Sequence, residues 1–377
     1  MFVESLTRLP TSRSVVYDAA VTDAGVLEAS SARTLNEVRA VIPADCYRRS
    51  VARALVALVQ GALLWAGPVV ALVLTDRWYV VAAAWLLAGL GVSGLFVLGH
   101  DASHGALFES RRVNRWVARC CMLPSVHVES AWDLGHNRIH HGYTTRQGFD
   151  FVWHPLTVDE YQALGRLRRL RHRLEWSWLG SGAYFLREVW WAKMWRFRAE
   201  GKRAGTIRGD KRWVALWCTA ALAALALVGA SEHGWALAWW TPVKVLVVPF
   251  LVFVHVIGWT VYVHHVAPDI RWWERRAWSQ FRGQMESTTV LRLPRVVNVL
   301  WFHNIFVHVP HHVDARLPFH RLPAATAAIA AAFPGVVRDE RWSLRSYLTA
   351  TRRCKLYDFE SSTWLPYPSR SAAARAL

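Results

Sequence analysis

Long apolar runs alternate along this chain with long basic, polar stretches. Four runs approach the roughly 20 residues that a helix needs to cross a hydrocarbon core: about Val51 to Thr75, Trp78 to Gly99, Trp213 to Ala230 and Pro242 to Val263. Only the polar turn "TDRW" separates the first pair, which reads as a helical hairpin. The second pair is joined by "SEHGWALAWW", whose one fixed charge is Glu232. Pro249 lies inside the fourth run and predicts a kink, because proline removes a helix hydrogen bond. Between the pairs, "YQALGRLRRLRHRLEWSWLG" sets Leu164, Leu167, Leu170, Leu174 and Trp178 at helical spacing with arginines on the other faces. That is the pattern of a helix lying on an anionic membrane surface. "AYFLREVWWAKMWRFR" reads as a second one.

These elements predict an all-α integral membrane protein: four transmembrane helices and a helical cap. Composition agrees, with 53% hydrophobic residues, 23 tryptophans suited to membrane–water boundaries, and a positive mean hydropathy of +0.14. The formal net charge of +18 fits an anionic membrane surface or nucleic acid. The apolar runs decide for the membrane, and no nucleic-acid partner is expected. Lysine and arginine are nearly missing from the two short connections, where Arg77 stands alone in the first. By the positive-inside rule both termini and the middle loop are expected in the cytoplasm.

Residues 1–47 are polar and of mixed charge without an h-region. They read as an N-terminal cytoplasmic segment with no signal peptide. The Ser/Ala/Arg-rich residues 366–377 read as a disordered tail. Five cysteines without a C-x-x-C argue against a disulfide framework or a thiolate zinc site.

Histidine changes the picture. His100 and His104 sit at i and i+4 where the second run ends. His136, His140 and His141 form a second cluster; on an α-helix the i and i+4 members share a face and His141 points about 100° away. His308, His311 and His312 form a third. All three fall on the cytoplasmic side of the predicted topology. One zinc takes four ligands at most in a structural site, so eight imidazoles are too many for it. Two metal ions with open positions use them, and two open-sited irons suit oxygen activation. Haem bound by a histidine pair inside the bundle fits poorly with clusters at helix ends. Isolated His127, His154, His172, His233, His255 and His320 read as hydrogen-bonded core residues, whereas unsatisfied imidazoles packed several to a turn would each cost free energy.

"HDASH", "HNRIHH" and "HVPHH" resemble the three histidine boxes of the membrane fatty acid desaturase superfamily, which also holds hydroxylases and carotenoid ketolases. "SRRVNRW", "GFDFVWHPLTVDEY", "HVDARLPFHRLP" and "CKLYDFESSTWLPY" are similar to segments of bacterial omega-6 (delta-12) acyl desaturases, so that residues 48–365 form one desaturase-type membrane domain. The middle box has three residues between its first histidine and the pair, where many relatives have two. The resemblance adds a ninth ligand candidate from "TVYVHHVAPDI": His265, with His264 beside it as a supporting residue. Ligand histidines usually give their other N–H to a carboxylate or carbonyl, which singles out Asp101, Asp150 and Asp314 as supports.

The resemblance implies a non-haem diiron enzyme of a bacterial inner membrane that uses dioxygen as co-substrate to place a cis double bond in a lipid acyl chain. No side chain removes hydrogen from an unactivated methylene, so the metal pair must supply that chemistry. Two electrons come from outside, and the chain shows no flavin fingerprint and no iron–sulfur cysteine cluster. A ferredoxin or cytochrome b5-like donor is therefore expected. A hydroxylase, an acetylenase or a carotenoid ketolase would use the same scaffold. A membrane metal-binding or transport protein would need polar residues along the spans, and the first three show almost none.

Overall fold

The computed structural model describes residues 33–368. Four helices are long and apolar enough to span: Val51–Leu74, Trp78–Ser103, Gly201–His233 and Trp235–His265. The third begins twelve residues before the apolar run at Trp213, so its first turns rise above the hydrocarbon. The fourth carries a π-helical stretch, Val243–Val247, directly before Pro249. That stretch absorbs the hydrogen bond the proline lacks.

The first and third spans are mostly exposed, with Val56, Leu63, Leu216 and Leu227 facing outward, as lipid contact requires. The second and fourth are the inner pair. Helices in lipid gain little from hydrophobic burial against each other and associate by close packing of small residues. The second span supplies these: a Cβ at Gly89 would lie 2.4 Å from Val252 Cγ1, and one at Gly91 would lie 2.7 Å from the Leu64 carbonyl oxygen. Both inner spans end in histidine, His100 at the second and His264–His265 at the fourth.

At their opposite ends the two hairpins are stapled. Lys244 is fully buried, and its Nζ lies 2.6 Å from Asp76 Oδ1 and 3.3 Å from the Thr75 carbonyl. Trp240 Nε1 donates to the same carboxylate at 3.0 Å, and His233 Nε2 lies 3.3 Å from its other oxygen. The short connections therefore lie together at one end of the bundle, and all three histidine boxes lie at the other.

The cap is helical apart from two small strand pairs. β1 (Thr289–Arg292) runs parallel to β2 (Arg338–Arg341), and β3 (Leu356–Asp358) antiparallel to β4 (Thr363–Leu365). An aromatic core lies between the inner spans and the cap, with Trp153 stacked on Tyr184 at 4.0 Å and edge-on to Tyr262 at 4.7 Å.

Several expectations are corrected. The core crosses the boundary drawn at residue 47: Leu35, Val38, Ile42 and Cys46 pack with Val309, Val313 and Leu317 around the third box. Tyr367, assigned to the disordered tail, hydrogen-bonds His172 Nδ1 at 2.7 Å. The remainder of that tail, and residues 1–32 of the N-terminal segment, lie outside the described residues. The arginine-rich amphipathic helix breaks at Leu164–Gly165 into Val158–Ala163 and Arg166–Glu175. Its outward face still carries Leu167, Leu170, Leu174 and Trp178, while His172 and Glu175 turn inward. The second proposed surface helix is π-helical over Phe185–Trp195 and buries Phe185, Val189 and Met194, so it is a core element.

Asp76→Asn should weaken the hold on a buried ammonium whose partner carboxylate is itself 44% exposed, and cost about 1–3 kcal/mol, the range for a hydrogen bond to a charged group. Adding Lys244→Met should restore most of it. Thermal unfolding in detergent reads both, and equal midpoints for Asp76→Asn and wild type would refute the staple.

Candidate metal centre

The three boxes and the end of the fourth span bring nine buried or half-buried imidazoles together. They fall into two groups whose ligand atoms lie within 4.8 Å of one another: His100, His104, His136, His141 and His311 in the first; His140, His265 and His312 in the second. His308 adjoins the second through His312, Nε2 to Nε2 at 2.9 Å. Each box after the first divides its residues between the groups. In the helix His308–Val313, His308 and His312 share a face, and His311 turns to the other group, with its ring 4.7 Å from that of His100.

The middle box departs from the α-helical expectation. Asp133–His140 is a π-helix, and the His141 N–H bonds the His136 carbonyl at 3.0 Å. The i and i+5 residues therefore share a face: His136 and His141 approach to 3.2 Å between Nε2 atoms, and His140 points to the second group. The reason lies in the spacing. One extra residue between the first histidine and the pair widens an α-turn into a π-turn, and the pair keeps its direction.

Hydrogen bonds at Nδ1 set the tautomers. His100 Nδ1 faces Asp101 at 2.9 Å, and His140 Nδ1 faces both Asp150 oxygens at 3.1 Å. His308 Nδ1 faces the Ile305 carbonyl at 3.2 Å, His265 Nδ1 the Ser287 carbonyl at 3.2 Å, and His312 Nδ1 the Gln284 amide oxygen at 2.7 Å. Each partner is an acceptor, so each Nδ1 carries the proton and each Nε2 presents a lone pair. The lone pairs of His308 and His312 then face each other at 2.9 Å with no proton between them. His104, His265 and His311 add buried Nε2 atoms with no partner in the protein. Such an arrangement repels itself unless a cation lies among the nitrogens. Imidazole donors with carbonyl and carboxylate supports fit first-row transition metals. Burial and mutual repulsion hold His136, His141, His308, His311 and His312 far below the ordinary histidine range, which keeps them neutral and ready to ligate.

The supports differ from expectation in one place. Asp101 and Asp150 each hold a histidine, whereas Asp314 pairs with Arg316 at 2.6 Å and Tyr47 at 3.3 Å and reaches no imidazole. Its position beyond the box sets it on the outer side of the His308–Val313 helix, against residues 39–47. Asp150 is itself fixed by the Thr145 and Val152 N–H groups at 2.8 and 3.0 Å. Thr145 and Trp153 flank it with φ near +54°, backbone conformations that such residues adopt only under constraint. His264 stacks on His308 at 3.9 Å, with its Nε2 buried and unpartnered.

Gln284 and Thr144 are supports that sequence reasoning missed. Gln284 lies on the π-helical turn Arg282–Glu286, and its amide oxygen meets both His312 Nδ1 and Thr144 Oγ1. Neither residue stands in a histidine pattern, so only their convergence in space reveals them. Of the isolated histidines, His127 donates to the Ser125 carbonyl at 2.7 Å inside an aromatic cage, and burial pushes it down to about 3. His172 stacks on Trp176, and His233 belongs to the far-end staple. His154, His255 and His320 join neither group. His303, unremarked in the sequence, is buried with a positive φ of 43° and also joins neither.

This geometry coincides with a match of the fatty acid desaturase family model to residues 76–342. The chain belongs to the fatty acid desaturase family. It is therefore an oxidoreductase that desaturates acyl chains with dioxygen, and an integral membrane protein. A transport function is set aside. The chain is 28% identical over 339 residues to an sn-1 oleoyl-lipid 12-desaturase of Anabaena variabilis, covering 86% of this chain and 89% of that protein. An sn-1 acyl-lipid omega-3 desaturase (ferredoxin) of Synechocystis is 29% identical, covering 78% and 80%. A chloroplastic omega-6 fatty acid desaturase of Glycine max is 27% identical, covering 76% and 64%.

Asp150→Asn and Gln284→Leu should each lower metal affinity about 10–100-fold, the usual effect of losing a support behind a ligand histidine. Asp314→Asn should leave metal content unchanged. Metal analysis after dialysis distinguishes them, and equal retention by all three would contradict the assignment of supports.

Proposed function

We propose that the two histidine groups hold two non-haem irons, with His100, His104, His136, His141 and His311 around one and His140, His265, His308 and His312 around the other. His264 and the carboxylates of Asp101 and Asp150 support them. The observation that carries this reading is the convergence of nine imidazoles into two groups, with Nε2 atoms of His100 and His136, of His136 and His141, and of His308 and His312 within 2.8–3.2 Å of each other. Bound there, two irons supply the power to remove hydrogen from an unactivated methylene pair, using dioxygen and two electrons.

The protein's own part is to orient, exclude water and hold protons in place. The Asp101 and Asp150 carboxylates keep the Nδ1 protons of His100 and His140, so those rings ligate through Nε2 alone. Trp132 stacks on His136 at 4.5 Å. A narrow apolar crevice beside it is walled by Phe151, Phe185, Val189, Met194 and Val261. At about 30 Å³ the crevice is too small to hold an acyl chain, and its walls serve to keep water from the His136 side of the centre.

The similarity to oleoyl-lipid 12-desaturases supports a membrane glycerolipid as substrate and the omega-6 (delta-12) position as the site of the new cis bond. Oxygen transfer in place of the second hydrogen removal would make a hydroxylase on the same scaffold, an acetylenase would act on an already unsaturated chain, and a ketolase would transfer oxygen to a carotenoid. The donor we assign is a ferredoxin or cytochrome b5-like protein. The arginine-poor staple end faces away from the cytoplasm of a bacterial inner membrane, and the metal centre and both termini face into it.

Purified protein should carry about two irons per chain, as a two-metal site requires. Lipid mass spectrometry in a host of defined fatty acids should show loss of two hydrogens. Gain of one oxygen would keep the site and change the reaction. His140→Ala, His311→Ala and His312→Ala should abolish product while the protein stays in the membrane, since a 1 Å displacement alone costs about a hundredfold. A cysteine placed at exposed Ser231 should react with an impermeant reagent from outside, and one at exposed Gly165 should not. The reverse labelling would invert the topology.

A further inference from the structure

A polar cleft of about 480 Å³ opens beside the first histidine group, with His104, Ser103 and Gly105 at its floor. Its walls come from the helix Arg111–Met122, the π-helical middle box and the start of the third span. Arg111, Arg115, Arg138 and Arg203 line it against only two carboxylates, Glu129 and Asp133. Asp133 is shared by Arg203 at 3.0 Å and Arg138 at 3.7 Å. Arg111 and Arg115 are exposed and form no ion pair among the described residues. Glu129 is buried, and desolvation pushes it up to about 7, which weakens the negative side further. Exposed Arg112, Lys202 and Arg208 flank the same elements.

A second cleft, of about 430 Å³, is also rich in basic residues. There most of the cations are internally matched: Arg187 pairs with Glu175 and Glu188, Lys193 with Glu188, and Arg171 with Glu175, which leaves Arg168 without an ion pair among the described residues. The His104 cleft carries two arginines without an ion pair among the described residues, Arg111 and Arg115, and has a candidate ligand histidine in its lining.

Resting on the diiron reading above, we infer that this cleft is the docking surface for a small acidic one-electron carrier protein, with Arg111 and Arg115 as its principal contacts. The balance of the reaction requires such a visitor. Two C–H bonds break, a C=C bond forms, and dioxygen becomes two waters with two electrons and two solvent protons. A one-electron carrier must therefore dock twice per turnover. Electron transfer falls steeply with distance, and this cleft brings a partner's surface to a half-buried ligand histidine. The wall that carries Arg203 lies before the apolar run of the third span. Arg203 precedes the apolar run at Trp213 by ten residues, about 15 Å of helix. Unpaired arginines at a rim steer an acidic partner and set its association rate.

The test uses the full-length protein in vesicles of its host lipids, driven either by reduced plant-type ferredoxin or by reduced methyl viologen, a small cation indifferent to arginine. Arg111→Glu/Arg115→Glu should raise the KM for ferredoxin about tenfold or more and remove most of its salt dependence, as rim charges do. Viologen-driven turnover should be unchanged, which also shows that the variant is folded. Arg111→Gln/Arg115→Gln should fall between, and Arg352→Glu on the remote C-terminal helix should behave as wild type. An unchanged KM for ferredoxin overturns the assignment. So does a raised KM for the acyl lipid with the ferredoxin KM unmoved, which would make the cleft a headgroup site. If wild type forms no product even with viologen, the desaturase reading fails first, and the two failures are distinguishable.

Discussion

The repulsion among imidazole nitrogens is the constraint on which this structure turns. Five histidines give their Nδ1 protons to outer acceptors, so their bare Nε2 atoms converge, and two of these, on His308 and His312, stand 2.9 Å apart. The His308 and His312 nitrogens are buried and face each other without a donor between them. A protein does not collect such atoms for packing, because each would cost the desolvation of an unpaired acceptor. Grouped as they are, they could hold metal ions. The surrounding carboxylates, carbonyls and amide hold the rings in that one orientation.

The membrane bundle serves this site. Two inner spans run from the Asp76–Lys244 staple to the cap and deliver His100 and His265 at the same level. Small residues along the second span set how closely those helices approach, and thereby how far apart the histidines arrive. The cap closes over them with the middle and third boxes. Its N-terminal helix, Leu35–Ala40, locks the third box from outside through Arg39, which donates to the Val313 carbonyl at 2.9 Å.

Of the four π-helical stretches among the described residues, two lie at the candidate metal centre. One carries His136, His140 and His141; a second carries Gln284. A π-turn places residues five apart on one face and widens the helix, at some cost in hydrogen-bond geometry. In the middle box this lets a single short element feed both ligand groups, with His136 and His141 to one and His140 to the other.

By itself the sequence determined the membrane fold, the spans to within a few turns, and the histidines that converge in the candidate centre. These are legible because hydropathy over 20 residues and histidine spacing are local signals. Local signals could not decide which histidine faces which group, since that depends on an α-turn becoming a π-turn and on the crossing of two spans. They could not separate Asp150 from Asp314 either. Both follow a box closely, yet one turns inward onto His140 and the other outward onto Arg316. Gln284, Thr144 and the basic cleft at His104 are built from segments far apart in the chain. Only tertiary packing brings them together, because their partners are set by the path of the backbone and not by their neighbours in sequence.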